Sequence, residues 1–220
     1  MFAFATVALL SAPAAPVEAG PRYYFILFGG QSIPFQPRTA HTWATFVKAT
    51  PAADGTTILE PVTISWLPAE LPVRPLKLRP VEGRNRSLEE TFAIAARNNA
   101  RVSMWGPFET DAGRYELAVR QVDALNSGAV RFRSLDSLGR NRSVQHCAHA
   151  VTFADPNLQR LRQPVIRVGE PGTSRLADKY VESGAFVGTE THDWLLPALG
   201  LDRVAVVRRE PGERVPRQWR

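Results

Sequence analysis

The first third of the chain is a succession of β-prone runs with no helical period between them. Tyr23-Tyr24-Phe25-Ile26-Leu27-Phe28 is continuously bulky and apolar and is stopped by Gly29-Gly30, the pattern of a buried strand. A loop marked by Pro34 and Pro37 follows. Residues 39–48 are rich in Thr, Trp, Phe and Val and read as a second strand. Strand alternation sends His41 and Trp43 to one face, Thr42 and Phe46 to the other. Asp54-Gly55 between two such runs signals a hairpin. The third strand is expected from about Thr57 to Trp66, with Pro61 confining it to an edge or a bulge.

Helical signals come later. Ser87-Leu88-Glu89-Glu90 matches a capping box, so a helix is expected from there to about Asn98. Val102 to Trp105 reads as a short strand ended by Gly106-Pro107. Thr110 begins a second helix, with Tyr115, Val119, Val122 and Leu125 at helical spacing and Ser127-Gly128 as the stop. Pro68, Pro72, Pro75 and Pro80 mark a long irregular connection. Further expectations are a half-exposed strand over 129–135, a helix over 144–153 with Cys147 in its first turn, and a helix over 173–183. A short helix opened by Thr191-His192-Asp193-Trp194, with Thr191 as N-cap, and a last strand over 204–207 complete the reading. Strands first and a mixture later define the α+β class, an antiparallel sheet with packed helices.

At 220 residues, 44% hydrophobic and 22% charged, the chain is sized for one soluble domain. Residues 2–10 are an apolar stretch too short to span a bilayer, and Val17-Glu18-Ala19 before Gly20 fits a signal-peptidase site, although no Lys or Arg precedes the stretch. The expected organisation is a signal peptide over 1–19, one α+β domain over 20–209 and a mobile polar tail over 210–220. Export to the periplasm, cell envelope or exterior follows from it. The oligomeric state is left open.

The formal charge is +6, and the only lysines are Lys48, Lys77 and Lys179. The arginines are spread as pairs, Arg84/Arg86, Arg131/Arg133, Arg140/Arg142, Arg160/Arg162 and Arg208/Arg209. Spread charge gives solvated faces, or a weak polyanion contact through the arginines, and not specific nucleic-acid binding.

A single cysteine excludes an internal disulfide framework and a multi-thiolate zinc site. No G-x-G-x-x-G, G-x-x-x-x-G-K-[ST] or G-x-S-x-G motif is present. His146 and His149 lie three apart and with His192 or Asp193 would be a metal set, but the spacing is not diagnostic. No metal and no cofactor are expected.

One constellation carries chemistry. A thiol becomes a nucleophile as a thiolate, which a helix N-terminus and a neighbouring imidazole both favour. Cys147 near a helix start and His41 on an early strand supply those parts. The bland alternative is equally open: a lone helical Cys is often a small buried hydrophobe, His41 a satisfied core histidine, and Trp43, Trp66 and Trp105 core packing.

The segments Ala40-His41-Thr42-Trp43-Ala44-Thr45-Phe46 and His146-Cys147-Ala148-His149-Ala150-Val151 resemble the circularly permuted papain-like fold, in the order His on a strand and then Cys opening a helix. That group includes permuted NlpC/P60-type and lecithin:retinol acyltransferase-like proteins. The chain is also similar to exported bacterial proteins of this length with an element like Trp105-Gly106-Pro107-Phe108. The resemblance implies a cysteine-dependent hydrolase or acyltransferase acting on peptide, amide or ester bonds, including cell-wall peptides. Cys147 would be the nucleophile and His41 the general base, oriented by Thr63, Ser65 or a backbone carbonyl, with Gln31 and Asp136 as fallbacks. The alternative is a non-catalytic binding or structural module of the cell envelope that keeps the fold.

Overall fold

The computed structural model describes residues 20–135, 142–159, 168–188 and 190–213. The architecture is α+β, a large sheet covered on both faces by helices, with a small second sheet beside it.

The large sheet is built from β1 (Arg22–Ser32), β2 (His41–Pro51) and β3 (Thr57–Ile64), joined in antiparallel register, with β6 (Ala100–Thr110) on the other side of β1 and β9 (Val207–Arg209) outermost. Its order is β3-β2-β1-β6-β9. The central place of β1 explains its sequence. A strand covered on both faces needs no polar alternation, and Tyr24 to Phe28 are all buried. The Asp54-Gly55 hairpin forms as expected, and β3 with Pro61 is an edge strand.

The small sheet has the order β4-β5-β7-β8, from β4 (Trp66–Pro68), β5 (Val81–Asn85), β7 (Arg131–Phe132) and β8 (Val144–Gln145). The expected third strand is thus divided at Ser65, whose N–H donates to Asn85 Oδ1 (2.8 Å). β5 was not anticipated, because Gly83 and three polar residues hide its pattern. Gly83 is needed there. A Cβ at that position would lie 2.0 Å from a Trp66 ring carbon, so the indole lies flat where any side chain would be.

The helices are α1 (Leu88–Arg97), α2 (Ala112–Asn126), α3 (Cys147–Thr152), α4 (Glu170–Glu182) and α5 (Leu195–Ala198). The α1 capping box is complete, Ser87 Oγ accepting from Glu90 N (3.0 Å) and Glu90 Oε2 from Ser87 N (2.9 Å). One face of the large sheet, with Ile26, Phe28, Trp43, Val102 and Met104, packs against Ala95 of α1 and Leu201. The other face, with Phe25, Leu27, Ala44 and Phe46, packs against α2, α3 and α4.

Several elements depart from the sequence reading. β6 continues through Gly106-Pro107, because a bulge opposite Phe25–Leu27 absorbs one extra residue and Gly106 takes φ 90°. The expected helix over 144–153 begins as strand β8, and His146 then caps α3, its Nδ1 accepting from Ala148 N (3.1 Å) and His149 N (3.3 Å). α4 starts at Glu170, three residues early. α5 follows Trp194, while Thr191 bridges Phe108 and caps nothing. The last strand lies at 207–209 and runs parallel to β6, as β8 does to β7, so both sheets are mixed and not purely antiparallel. Residues 210–213, expected to be mobile, are tied down: Gly212 N donates to Asp178 Oδ1 (2.8 Å) and Ser174 Oγ to Glu213 O (2.9 Å). The expected signal peptide over 1–19 and residues 214–220 lie outside the described residues. Among the described residues, no helix is long and apolar enough to cross a membrane.

Candidate functional site

His41 is the first residue of β2 and is buried, its ring stacked on Trp43 (centroids 5.3 Å apart, planes at 19°). Its Nε2 lies 2.9 Å from Ser65 Oγ. Ser65 Oγ is 2.7 Å from Thr91 Oγ1 of α1, which is 2.6 Å from Ser87 O. Thr91 Oγ1 donates toward both Ser65 Oγ and Ser87 O, and Ser65 Oγ in turn pairs with His41 Nε2, linking the ring to α1 through two hydroxyls. His41 Nδ1 is buried with no hydrogen-bond partner. Burial pushes the His41 pKa down to about 3, because leaving bulk solvent disfavours the charged imidazolium.

Ser65 therefore meets His41 as the sequence suggested, whereas Thr63 does not. Thr63 pairs with Thr45 in the β2–β3 ladder, hydroxyl to hydroxyl at 3.0 Å. Thr45 lies four residues up the strand from His41, about 13 Å at the usual rise per residue.

Cys147 is the first residue of α3 and is buried. Ala150 and Val151 of its helix pack with Ala44 and Phe46, the face to which Thr42 also points, its hydroxyl 2.8 Å from that of Thr173. His41 points to the opposite face, toward Trp43 and α1. The helix bearing the thiol and the imidazole are thus placed on different sides of the sheet. No hydrogen bond joins them, since Nδ1 makes none and Nε2 is engaged by Ser65. Gln31, buried at the end of β1, lies beside Gly169 ahead of α4, and Asp136 lies outside the described residues.

The His146 and His149 rings stack at 4.6 Å with planes 5° apart. His192 lies elsewhere, edge-on to Tyr24 and 3.9 Å from Glu109. Among the described residues, no group of three or more His, Cys, Asp or Glu is placed to hold a metal ion. Trp43, Trp66 and Trp105 are fully buried, and Trp66 Nε1 donates to Gln145 O (3.2 Å).

A second constellation lies on the small sheet. A cavity of about 480 Å³ opens between the connection 68–82 and β7. Five cations line it, Arg74, Lys77, Arg79, Arg131 and Arg133, against Glu70 and Glu82. None of the five takes part in an ion pair among the described residues. Arg133 Nη1 donates to Leu78 O (3.3 Å), but its Nε is buried without a hydrogen-bond partner, and so is the Ser134 hydroxyl.

The prolines build this wall. Pro72, Pro75 and Pro80 lack the N–H a ladder needs, so 69–80 leaves the sheet after β4 and returns as β5. Ala69 N donates to Glu82 O (2.9 Å) and Arg86 Nη2 to Ala69 O (2.9 Å), closing the base of the excursion. In the sequence the Arg131/Arg133 pair was one among several, and the proline connection only irregular. Their meeting depends on the β5–β7 pairing, Val81 with Phe132 and Glu82 with Arg131, which no local pattern announces. The Arg131/Arg133 alternation was the available signal.

Comparison with protein-family models, curated proteins and solved structures finds no match to the chain.

Proposed function

We propose that this chain is a non-catalytic binding module, and that its ligand is a small anionic group, phosphate, sulfate or carboxylate, held in the cavity between 68–82 and β7. The supporting observation is the set of five cations without ion-pair partners around two buried, unsatisfied donors, Arg133 Nε and Ser134 Oγ. A buried donor without a partner costs about 1–3 kcal/mol, and an oxyanion is an acceptor for both a guanidinium N–H and a hydroxyl. Arg is suited to the task, because its planar fork matches the oxygens of a tetrahedral or planar anion. Export to the cell envelope, expected from residues 1–19, belongs to the same proposal.

The competing proposal is the thiol hydrolase or acyltransferase of a permuted papain-like core, using Cys147 and His41 on amide or ester bonds. It has the chain order of His and Cys in its favour. A neutral His41 facing α1, with Cys147 on a helix against the other face, favours the binding module instead.

Thermal melting at constant ionic strength tests the binding reading. Inorganic phosphate or sulfate is expected to raise Tm where chloride does not, and the rise is lost in the Arg131→Ala/Arg133→Ala variant. A ligand at a hundred times its Kd stabilises by about 2.7 kcal/mol, equivalent to roughly 5–11 °C for a domain of this size. Equal melting in phosphate and chloride overturns the proposal.

A further inference from the structure

The connection that walls the cavity also carries exposed leucines. Leu76 is 84% exposed, Leu78 64% and Leu71 42%. They alternate with the cavity's own cations in the order Leu71, Arg74, Leu76, Lys77, Leu78, Arg79. Isolated surface leucines need no explanation, but clustered ones beside a functional-looking pocket do. Leu76 is more exposed than any other large apolar side chain among the described residues.

One connection therefore carries two chemistries. The cavity offers positive charge without ion-pair partners and two buried donors without hydrogen-bond partners. The same connection offers exposed aliphatic side chains that water solvates poorly and an acyl boundary solvates well. Prolines at 72, 75 and 80 fix φ along the connection, so the leucines are presented outward without a large ordering cost on binding. A free small anion would use the cations and leave the leucines in water. A lipid with an anionic phosphate headgroup uses both.

We infer that this surface docks on a bilayer, taking the phosphate of an anionic phospholipid into the cavity while Leu76 and Leu78 enter the interfacial layer. The inference rests on the anion-binding reading above and names the source of the anion. Attachment is peripheral and weakens with salt, since each cation near an anionic surface adds about fivefold to partitioning.

The experiment is co-sedimentation of the full chain with vesicles of phosphatidylcholine containing phosphatidylglycerol, against vesicles of phosphatidylcholine alone. Binding is expected only to the anionic vesicles. It falls about tenfold or more in Leu76→Ser/Leu78→Ser, while the phosphate-induced rise in Tm in that variant stays as in wild type. That rise also shows the variant is folded. Arg131→Ala/Arg133→Ala loses both responses. Wild-type protein that responds to phosphate but stays in the supernatant with anionic vesicles overturns the membrane inference and leaves the anion reading standing. Vesicle binding unchanged in the double serine variant overturns it as well. Loss of the phosphate response in the wild type removes the anion reading itself.

Discussion

Ser65 engages His41 from one side only. Its Nε2 lies 2.9 Å from the hydroxyl, while Nδ1 is buried with no partner. The ring is neutral in the fold and resists protonation down to about pH 3. An unfolded imidazole, with an ordinary pKa near 6.5, takes a proton earlier. Acid therefore favours the unfolded chain. The stability from this site is intact above about pH 6.5 and is lost as pH falls toward 3, at about 1.4 kcal/mol per pH unit. Urea denaturation at steps from pH 7 to pH 5 measures this. His41→Gln is expected to flatten the slope, and equal slopes in both proteins count against it.

Cys147 provides a second expectation. A buried thiol on a helix against the face opposite His41 gains no assistance from the His41 imidazole. Iodoacetamide at neutral pH is expected to label it slowly in the native protein, with the same rate in His41→Gln, and quickly after denaturation. Mass spectrometry of the labelled chain reads both rates. Rapid native labelling that disappears in His41→Gln reinstates the thiol hydrolase proposal.

Glu170 is fully buried at the start of α4. Arg101 Nε lies 2.8 Å from its Oε1, the Arg101 Nη2 donates to Oε2, and Ser103 Oγ donates to Oε1 at 2.7 Å. The pair ties α4 to β6 beneath Gly29, where a Cβ would lie 2.5 Å from Thr173 Oγ1. Removing one partner of a buried ion pair costs about 3–5 kcal/mol. Glu170→Ala is expected to lose that much in urea denaturation. A loss below about 1 kcal/mol, the level of an exposed pair, means the network contributes little.

Gly83→Ala tests the contact between the two halves of the small sheet. The new methyl meets the Trp66 ring at 2.0–2.5 Å, and overpacking of this kind costs about 1–3 kcal/mol. Trp66 must move, so near-ultraviolet circular dichroism changes with it. β5 frames the cavity, so the Tm response to phosphate is expected to shrink in the same variant. An unchanged response uncouples the cavity from Trp66.

The parts of this fold legible in the sequence are those fixed by local chemistry. Tyr23 to Phe28, the Asp54-Gly55 hairpin and the Ser87–Glu90 capping box each state their own structure. What was hidden depends on distant partners. β5 exists because β4 and β7 flank it, β6 survives Gly106-Pro107 because a bulge there keeps it paired with β1, and β8 replaces a helical turn because Arg131 and Phe132 pair with it. The site followed the same rule. Strand alternation placed His41 with Trp43, and Ser65 was within reach, but only tertiary packing decides which face α3 covers. The cations were visible as residues and invisible as a cluster.

At the outer margin of the large sheet, Pro61 has no amide to offer, and the carbonyl of Glu60 already accepts from the Tyr115 hydroxyl (3.2 Å). Glu60 also carries a charge, paired with Lys48 at 2.7 Å. A second molecule sliding in alongside β3 meets an interrupted row of donors and acceptors. That side of the molecule is thereby closed to self-templated growth, a safeguard for a chain whose central strand is itself a continuous apolar run.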